Sequence, residues 1–262
     1  TAYLAPDWEL SIWEEGHALL DYQPQTTSEQ KDWGEAIELE LFTNRFSAIA
    51  NAMGSQLQRT AFSVNVKERL DFSCAILDPQ GYLLVNAPHI PVHLGSLGIC
   101  ARLCLEHTPI AEGDVLIVNH PKYGGSHLPD ITLLQGVFNN AGRCLGYVIN
   151  RAHHAEVGGK RPGSMPPDAK NLAEEGVVFL PQRLMHKGVP QWDTIEKLFT
   201  SGPYPSRALA ENLADLRAGL AALKTGEQAL LKLAETYGEE KTRYYMEALQ
   251  QNAASTLLQK LT

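Results

Sequence analysis

Two short segments of the sequence place a histidine three residues before a carboxylate, each beside a pair of glycines. In GGSHLPD, His127 precedes Asp130, and in RAHHAEVGG, His153 precedes Glu156. Imidazole nitrogens and carboxylate oxygens are donor atoms that zinc, manganese and iron accept in proteins. If the two segments meet in the fold, their side chains form a set of two nitrogens and two oxygens. The sequence therefore predicts a divalent-metal site at these four residues.

The spacing by itself leaves a second interpretation open. A single H-x-x-D occurs often by chance, and His127 and His153 could equally be hydrogen-bonded core residues whose neighbouring carboxylates cap turns. Pro129 lacks a backbone N–H and favours a turn, which would point His127 and Asp130 to one side. Adjacent histidines in a strand point to opposite faces, so only one of His153 and His154 readily joins a shared site.

The surrounding sequence predicts strands joined mainly as hairpins. One hairpin covers 72–87 and turns at DPQG, and a second covers 131–154. Apolar residues at helical spacing predict helices at 37–62 and 95–107. Because hairpin strands pair antiparallel, we predict the α+β class, with an antiparallel hairpin-rich sheet core packed with helices and a helical C-terminal segment.

Patterning along the chain predicts three regions. Residues 1–36 contain two short strands around Glu15-Gly16 and a polar linker, and residues 37–193 form the α+β core that carries the histidines. Residues 194–262 are helical, and the last helix shows no end signal, so we expect it to continue into a further C-terminal part. The Gly- and Pro-rich stretch 156–168 is predicted to be an irregular loop beside the site.

The composition argues against nucleic-acid and membrane partners. The 22 basic and 30 acidic residues give a formal net charge of −8, with no basic run longer than Lys160-Arg161. No apolar run approaches the roughly 20 residues of a membrane helix. The four cysteines show no C-x-x-C spacing, and Cys100 and Cys104 are expected to be buried thiols rather than a zinc pair. These features predict a reducing, cytoplasmic setting.

Four longer segments carry a family resemblance. They are NVKERLDFSCAILDPQGYLLVNAPHIPVHLGSLG, GDVLIVNHPKYGGSHLPDITLLQGVF, RAHHAEVGGKRPGSMPPDA and EEGVVFLP. Together they resemble the hydantoinase B/oxoprolinase family, and the first is most similar to its ATP-dependent 5-oxoprolinase branch. The resemblance runs from about Leu39 to the C-terminus and so covers most of the chain.

The resemblance implies an enzyme built from two parts. In such enzymes a hydantoinase A-like part uses ATP and Mg to phosphorylate the oxygen of a cyclic amide, and the B part opens the activated ring. In the 5-oxoprolinase branch, which serves glutathione metabolism, 5-oxo-L-proline becomes L-glutamate. Residues 1–24 resemble the tail of an A part, so this chain is expected to be a fragment of a fused enzyme. Its expected partners are the A-like part, a cyclic amide and further copies in an oligomer; the isolated fragment need not be active.

The resemblance also implies site residues. The metal of such relatives, expected to be manganese, zinc or iron, falls on His127, Asp130 and His153. Relatives usually carry Asp where this chain has Glu156, which has a longer reach and stands as the fourth candidate ligand.

Further residues of the chain are candidates for the reaction around the metal. His93 or His154 would act as general base, with a structural histidine as the alternative for each. Arg69 would clamp the carboxylate of 5-oxoproline in a bidentate pair, or else form a surface salt bridge. Lys160 and Arg161 would meet a phosphate, or else be solvated loop charges.

Three classes of function stay open at this point. The first is an ATP-dependent cyclic amidohydrolase, with 5-oxoprolinase favoured over N-methylhydantoinase. The second is an acetone carboxylase-like subunit, which would use the metal for a different end reaction. The third is a non-catalytic assembly module in which the histidines are structural.

Overall fold

The computed structural model describes residues 8–12, 17–22, 34–87, 90–93 and 95–261. Its contacts separate two compact units, Thr1–Glu38 and Leu39–Thr262. The larger unit contains every residue predicted to bind a metal or a substrate. The predicted region limits at 36 and 193 stay predictions.

The smaller unit contains a two-stranded antiparallel hairpin. Strand β1 (Trp8–Ile12) pairs with β2 (Ala18–Tyr22), which confirms the two short strands predicted there. The turn predicted at Glu15-Gly16 and most of the predicted linker lie outside the described residues.

The larger unit alternates strands and helices along the chain. Its strands are β3 (Phe72–Leu77), β4 (Leu83–Asn86), β5 (Val115–Val118), β6 (Asp130–Phe138), β7 (Cys144–His153), β8 (Gln182–His186) and β9 (Val189–Pro190). Its helices are α1 (Glu35–Thr60, entering the unit at Leu39), α2 (Val64–Lys67), α3 (Ser96–His107), α4 (Leu172–Glu175), α5 (Trp192–Thr200), α6 (Leu209–Tyr237) and α7 (Glu239–Leu261). Short 3₁₀ turns occupy Pro91–His93 and Pro121–Tyr123.

The described strands of this unit form one seven-stranded sheet in the order β4-β3-β7-β6-β5-β8-β9. Every neighbouring pair is antiparallel. The two hairpins predicted from the sequence, β3–β4 and β6–β7, lie side by side because β3 pairs with β7. This sheet and the long helices α6 and α7 confirm the predicted α+β class, its antiparallel core and its helical C-terminal segment.

The edge hairpin of β8 and β9 is a strand pair that carries no clear signal in the sequence. Its turn residues, Lys187 and Gly188, have φ angles of 51° and 80°. Two positive φ angles at the centre of a two-residue loop are typical of a type I′ hairpin turn, which favours Asn or Asp before Gly. Lys at the first position removes that signal from the sequence.

Both faces of the sheet are covered by helices. On one face α1 and α6 contribute Phe46, Met53 and other apolar residues to a large cluster that includes Val148 of β7. On the opposite face Leu97 of α3 joins a second cluster with Ile149 of β7. Successive strand residues thus point to opposite faces, as the strand period of two requires. Because both faces are buried, the central strands read as nearly continuous apolar runs.

Helix α6 approaches the sheet closely at two glycines. A Cβ atom on Gly219 would lie 2.7 Å from Leu133 Cδ1, and one on Gly226 would clash with Met53. Asn150 of β7 donates from Nδ2 to the carbonyl of Gly219 at 2.8 Å. The small residues therefore allow the helix axis to lie against β6 and β7, which carry the site described below.

The composition predicted buried thiols and no membrane helix, and the structure can be compared with both expectations. All four cysteines are free, and Cys100 and Cys104 are buried with Sγ atoms 4.0 Å apart on α3. Within the described ranges, no helix is both long and apolar enough to cross a membrane.

Candidate metal centre

A buried aspartate, Asp130, lies at the centre of the histidine cluster. Its side chain is 1% exposed. Oδ1 accepts from His153 Nδ1 at 3.1 Å, and Oδ2 accepts from His127 Nδ1 at 3.0 Å and from His93 Nε2 at 3.2 Å. The hydroxyl of Ser126 also donates to Oδ2. One carboxylate therefore accepts hydrogen bonds from three imidazoles.

The local backbone explains why these side chains meet. The N–H of Asp130 donates to the carbonyl of His127 at 3.0 Å, so HLPD forms the tight turn that Pro129 favours. Asp130 then begins β6 and lies directly opposite His153 in the ladder with β7. Residues directly opposite each other in an antiparallel pair project on the same face. The HLPD turn and the register of β6 with β7 together bring His127, Asp130 and His153 close to one another.

The resulting group has the composition of a metal site. One ligand atom each from His127, Asp130 and His153 lies within 4.8 Å of the others, and the two imidazole ring centroids are 4.8 Å apart. The His127 side chain is 34% exposed, so the group can be reached from solvent. Two imidazole nitrogens and one carboxylate oxygen suit zinc, manganese or iron. The donor set therefore fits the divalent metal predicted from the sequence.

The electrostatics of the group also fit a cation. Burial acts to raise the pKa of Asp130, but hydrogen bonds from His127, His153, His93 and Ser126 outweigh burial and hold this pKa well below its usual range. The hydrogen bond with Asp130 raises the pKa of His127. Among the described residues no lysine or arginine pairs with Asp130. The carboxylate is thus surrounded by imidazole nitrogens, and a metal bound at these nitrogens would replace the protons that they carry.

Glu156, the predicted fourth ligand, lies outside this group. Its Oε2 forms an ion pair with Arg207 Nη2 at 2.7 Å, and its Oε1 accepts from the backbone of Gly158. Arg207 also donates to the carbonyls of Gly159 and Arg161, both at 2.9 Å. The carboxylate therefore holds the irregular loop in place, and a ligand role would require this ion pair to break.

The two histidines predicted as general bases occupy different environments. His93 is 1% exposed, and both ring nitrogens are engaged, Nε2 by Asp130 and Nδ1 by the Ser73 hydroxyl at 3.0 Å. His154 points to the opposite face from His153, where its Nδ1 bonds Asn212 Oδ1 of α6 at 2.8 Å. Burial lowers the pKa of His154. His93 thus adjoins the group through Asp130, and His154 supports the packing of α6.

The three cations predicted to contact substrate are engaged elsewhere. Arg69 is exposed and bonds Asn65 at 3.4 Å. Lys160 Nζ pairs with Glu174 at 3.0 Å and with Asp168 at 3.1 Å, and Arg161 Nε pairs with the same Asp168 at 3.1 Å. Substrate-binding roles for these residues stay predictions.

Asp71 is a further carboxylate near the candidate metal group, and the sequence alone gave it no role. Its Oδ2 lies 3.9 Å from His153 Nδ1, its side chain is 34% exposed, and its carbonyl accepts from the His153 N–H at 2.9 Å. It follows Leu70, a non-glycine residue with a φ of 56°. The pairing of β3 with β7 places Asp71 here, and only the motif ERLDFS, directly before a strand, signals it in the sequence.

The fold and the site together define an α+β module with a histidine–aspartate group suited to a divalent metal. The family model of Hydantoinase B/oxoprolinase matches residues 35–262, and the chain belongs to this family. The chain is 45% identical to the 5-oxoprolinase of Saccharomyces cerevisiae over 235 residues, which is 87% of this chain and 18% of the yeast protein. It is 41% identical to 5-oxoprolinase 1 of Arabidopsis thaliana across 100% of this chain and 22% of that protein.

Two solved structures share the fold. The ATP-dependent caprolactamase of Pseudomonas jessenii superposes with a TM-score of 0.73 at 30% identity, covering 83% of this chain and 37% of the matched chain. Nucleotide-free acetone carboxylase also gives a TM-score of 0.73, at 19% identity over 86% of this chain and 30% of that chain. The acetone carboxylase likeness is one of fold alone. The chain thus spans about a fifth of its 5-oxoprolinase relatives and about a third of these structures.

Proposed function

We propose that this chain belongs to the ring-opening B part of an ATP-dependent cyclic amidohydrolase that converts 5-oxo-L-proline to L-glutamate, and that it carries the metal site of that part. The observation that carries the proposal is the convergence of His127, Asp130 and His153 in a chain at least 41% identical to two 5-oxoprolinases. The ATP-dependent caprolactamase, whose name describes a lactam substrate, supports the same class of reaction.

The division of labour follows from the chemistry of amides. An amide carbonyl is a poor electrophile at neutral pH, because the nitrogen lone pair is delocalised onto its oxygen. Phosphorylation of that oxygen by ATP turns it into a good leaving group. We assign ATP and Mg to an A-like partner part, and the opening of the activated ring to this chain. A first water adds to the activated carbon, and the ring C–N bond breaks as the nitrogen takes a proton. A second water then displaces phosphate from the resulting acyl phosphate.

His127, Asp130 and His153 would hold the metal. When bound, a divalent cation supplies Lewis acidity, which makes water a stronger nucleophile near neutral pH and polarises a carbonyl. Asp130 keeps a full negative charge for this role because its histidine contacts lower its pKa.

Asp71 is the group we assign to take the proton of the attacking water. Its carboxylate is one-third exposed and lies beside His153, within reach of solvent. His93 is less suited to that role, because both of its ring nitrogens already have partners and its side chain is buried. We therefore assign His93 to holding Asp130 in orientation.

The test uses the full-length protein, with its A-like part present. It measures the formation of ADP and L-glutamate from ATP and 5-oxo-L-proline, together with the content of bound metal. We expect His127→Ala to lose metal and glutamate formation by more than the roughly 10–100-fold typical of removing an outer partner. The matched control is His107→Ala, since His107 is exposed and bonds Thr108.

Two other results would redirect the proposal. Turnover of N-methylhydantoin in place of 5-oxoproline would keep the reaction class and change the substrate. Retention of metal and turnover in His127→Ala would mean that the cluster is structural, as in an assembly module.

A further inference from the structure

A buried cation, Arg151, lies on the same face of the sheet as the metal centre. It precedes His153 by two residues in β7, and its side chain is 0% exposed. Among the described residues no carboxylate forms an ion pair with it. Buried charges are normally paired, so a guanidinium whose three hydrogen bonds go to neutral oxygens, beside the Cys100 thiol, requires a reason.

The guanidinium donates to three neutral acceptors on three different segments. Nε donates to Thr132 Oγ1 on β6 at 2.8 Å, and Nη1 donates to Ser96 Oγ at the start of α3 at 2.9 Å. Nη2 donates to the carbonyl of Gly124, in the loop before β6, at 2.9 Å. The planar fork of arginine is what allows one side chain to make these three bonds in different directions.

Each of these segments leads directly to the site. Thr132 follows Asp130 by two residues on β6, and the hydroxyl of Ser96 donates to the carbonyl of His93 at 3.0 Å. Gly124 begins the loop that ends at His127. It has a φ of 80°, and a Cβ atom there would lie 3.0 Å from the Cα of Cys100, so the loop is seated against α3 on its other side.

We propose that Arg151 is a positioning residue that sets the separation of His127 from Asp130 and His153, and thereby the affinity of the site for a divalent cation. The inference rests on the metal role proposed above. Arg151 acts through geometry, because its own positive charge would repel a nearby cation. Lysine would preserve the charge and lose the fork, so the two contributions can be separated.

The experiment titrates Co²⁺ into the intact protein and records its visible spectrum. We expect Arg151→Lys and Arg151→Gln both to weaken Co²⁺ binding by about tenfold or more and to change the spectrum, as loss of outer support does at other metal sites. Ser96→Ala and Thr132→Ala each remove one bond and should give smaller shifts in the same direction. Arg217→Lys is the matched control, since Arg217 lies over Trp192, 4.9 Å from its ring centroid.

A second measurement uses the metal-free protein. Hydrogen exchange of the backbone amides at 124–128 should be faster in Arg151→Lys and in Ser96→Ala than in the wild type. This readout requires no metal, so it separates the positioning role from the proposed function. Suppose that the wild type fails to bind Co²⁺, while Arg151→Lys and Ser96→Ala still exchange faster than the wild type at 124–128. That outcome would count against the proposed function and would still support the positioning of the loop by Arg151.

Three results would overturn the inference. In the first, Arg151→Gln tightens Co²⁺ binding and Arg151→Lys leaves it unchanged, which means that only charge matters. In the second, the variants lower the melting temperature without changing Co²⁺ affinity or exchange at 124–128, which means a general packing role. In the third, Arg151 variants fail to fold while Ser96→Ala and Thr132→Ala bind Co²⁺ as the wild type does.

Discussion

At the scale of residues, a single buried carboxylate organises the candidate metal group. Asp130 accepts hydrogen bonds from three histidines and a serine, which together overcome the effect of burial on its pKa. Two of the histidines, His127 and His153, belong to the candidate metal group, and the third, His93, is shielded from solvent. Neighbouring histidines thus differ in role according to which of their nitrogens remain available.

The first prediction concerns His93. Because His93 contacts Asp130 and is buried, His93→Gln should weaken metal binding about 10–100-fold and leave the pH dependence of turnover unchanged. Metal affinity and pH–rate profiles of the intact protein measure both effects. Ser73→Ala, which removes the bond to His93 Nδ1, should act in the same direction, and His107→Gln should not. Loss of one limb of the pH–rate profile in His93→Gln would instead identify His93 as the general base.

The sheet and its connecting hairpins organise the molecule at the scale of elements. The register of β6 with β7 brings Asp130 opposite His153, and the pairing of β3 with β7 adds Asp71. At the other edge, Asp114, just before β5, accepts from Arg183 Nε and His186 Nδ1 of β8, both at 2.9 Å. That carboxylate joins the edge hairpin to the body of the sheet.

The second prediction is a pH dependence of stability from Asp114. Burial acts to raise its pKa, but bonds from Arg183, Lys187 and His186 outweigh burial and lower it to about 2. Because the folded pKa lies below the unfolded value of about 3.9, the stabilisation is complete above pH 4 and is lost as the pH falls towards 2. It amounts to about 2 kcal/mol.

Urea unfolding at pH 6 and pH 2.5 checks this contribution. Asp114→Asn should be less stable than the wild type at pH 6 and should lose less stability on acidification. Glu106→Gln, an exposed change on α3, is the control. Equal acid dependence in Asp114→Asn and the wild type would show that other carboxylates are responsible.

At the scale of the whole molecule, the chain divides into a small hairpin unit and a large unit that carries the site. The family match begins at residue 35, close to that division. All residues of the candidate metal group and both apolar clusters lie in the larger unit.

The third prediction follows from this division. A chain that begins at Gly34 should keep the Co²⁺ affinity of the full chain and melt within about 2 °C of it, because the candidate ligands and the described members of both apolar clusters lie in the larger unit. Circular dichroism melting and Co²⁺ titration of the two chains measure this. A large fall in either quantity would show that the hairpin stabilises the larger unit.

The sequence by itself determined the two central hairpins, the main helices and three residues of the candidate site. The period of two in 72–87 and 131–154, and the turn at HLPD, are local signals, so the hairpins and the meeting of His127 with Asp130 could be predicted. The family resemblance added the prediction of a metal role for His127, Asp130 and His153, which the spacing alone left open.

The tertiary structure decided which of the remaining candidates reach the site. Strand register placed Asp71 beside His153 and pointed His154 to the opposite face. Glu156 lies outside the group, where it pairs with Arg207, 51 residues further along the chain. These outcomes depend on contacts between residues far apart in the chain. Local propensity and spacing carry no information about such contacts, since they are selected by the packing of the whole sheet against its helices.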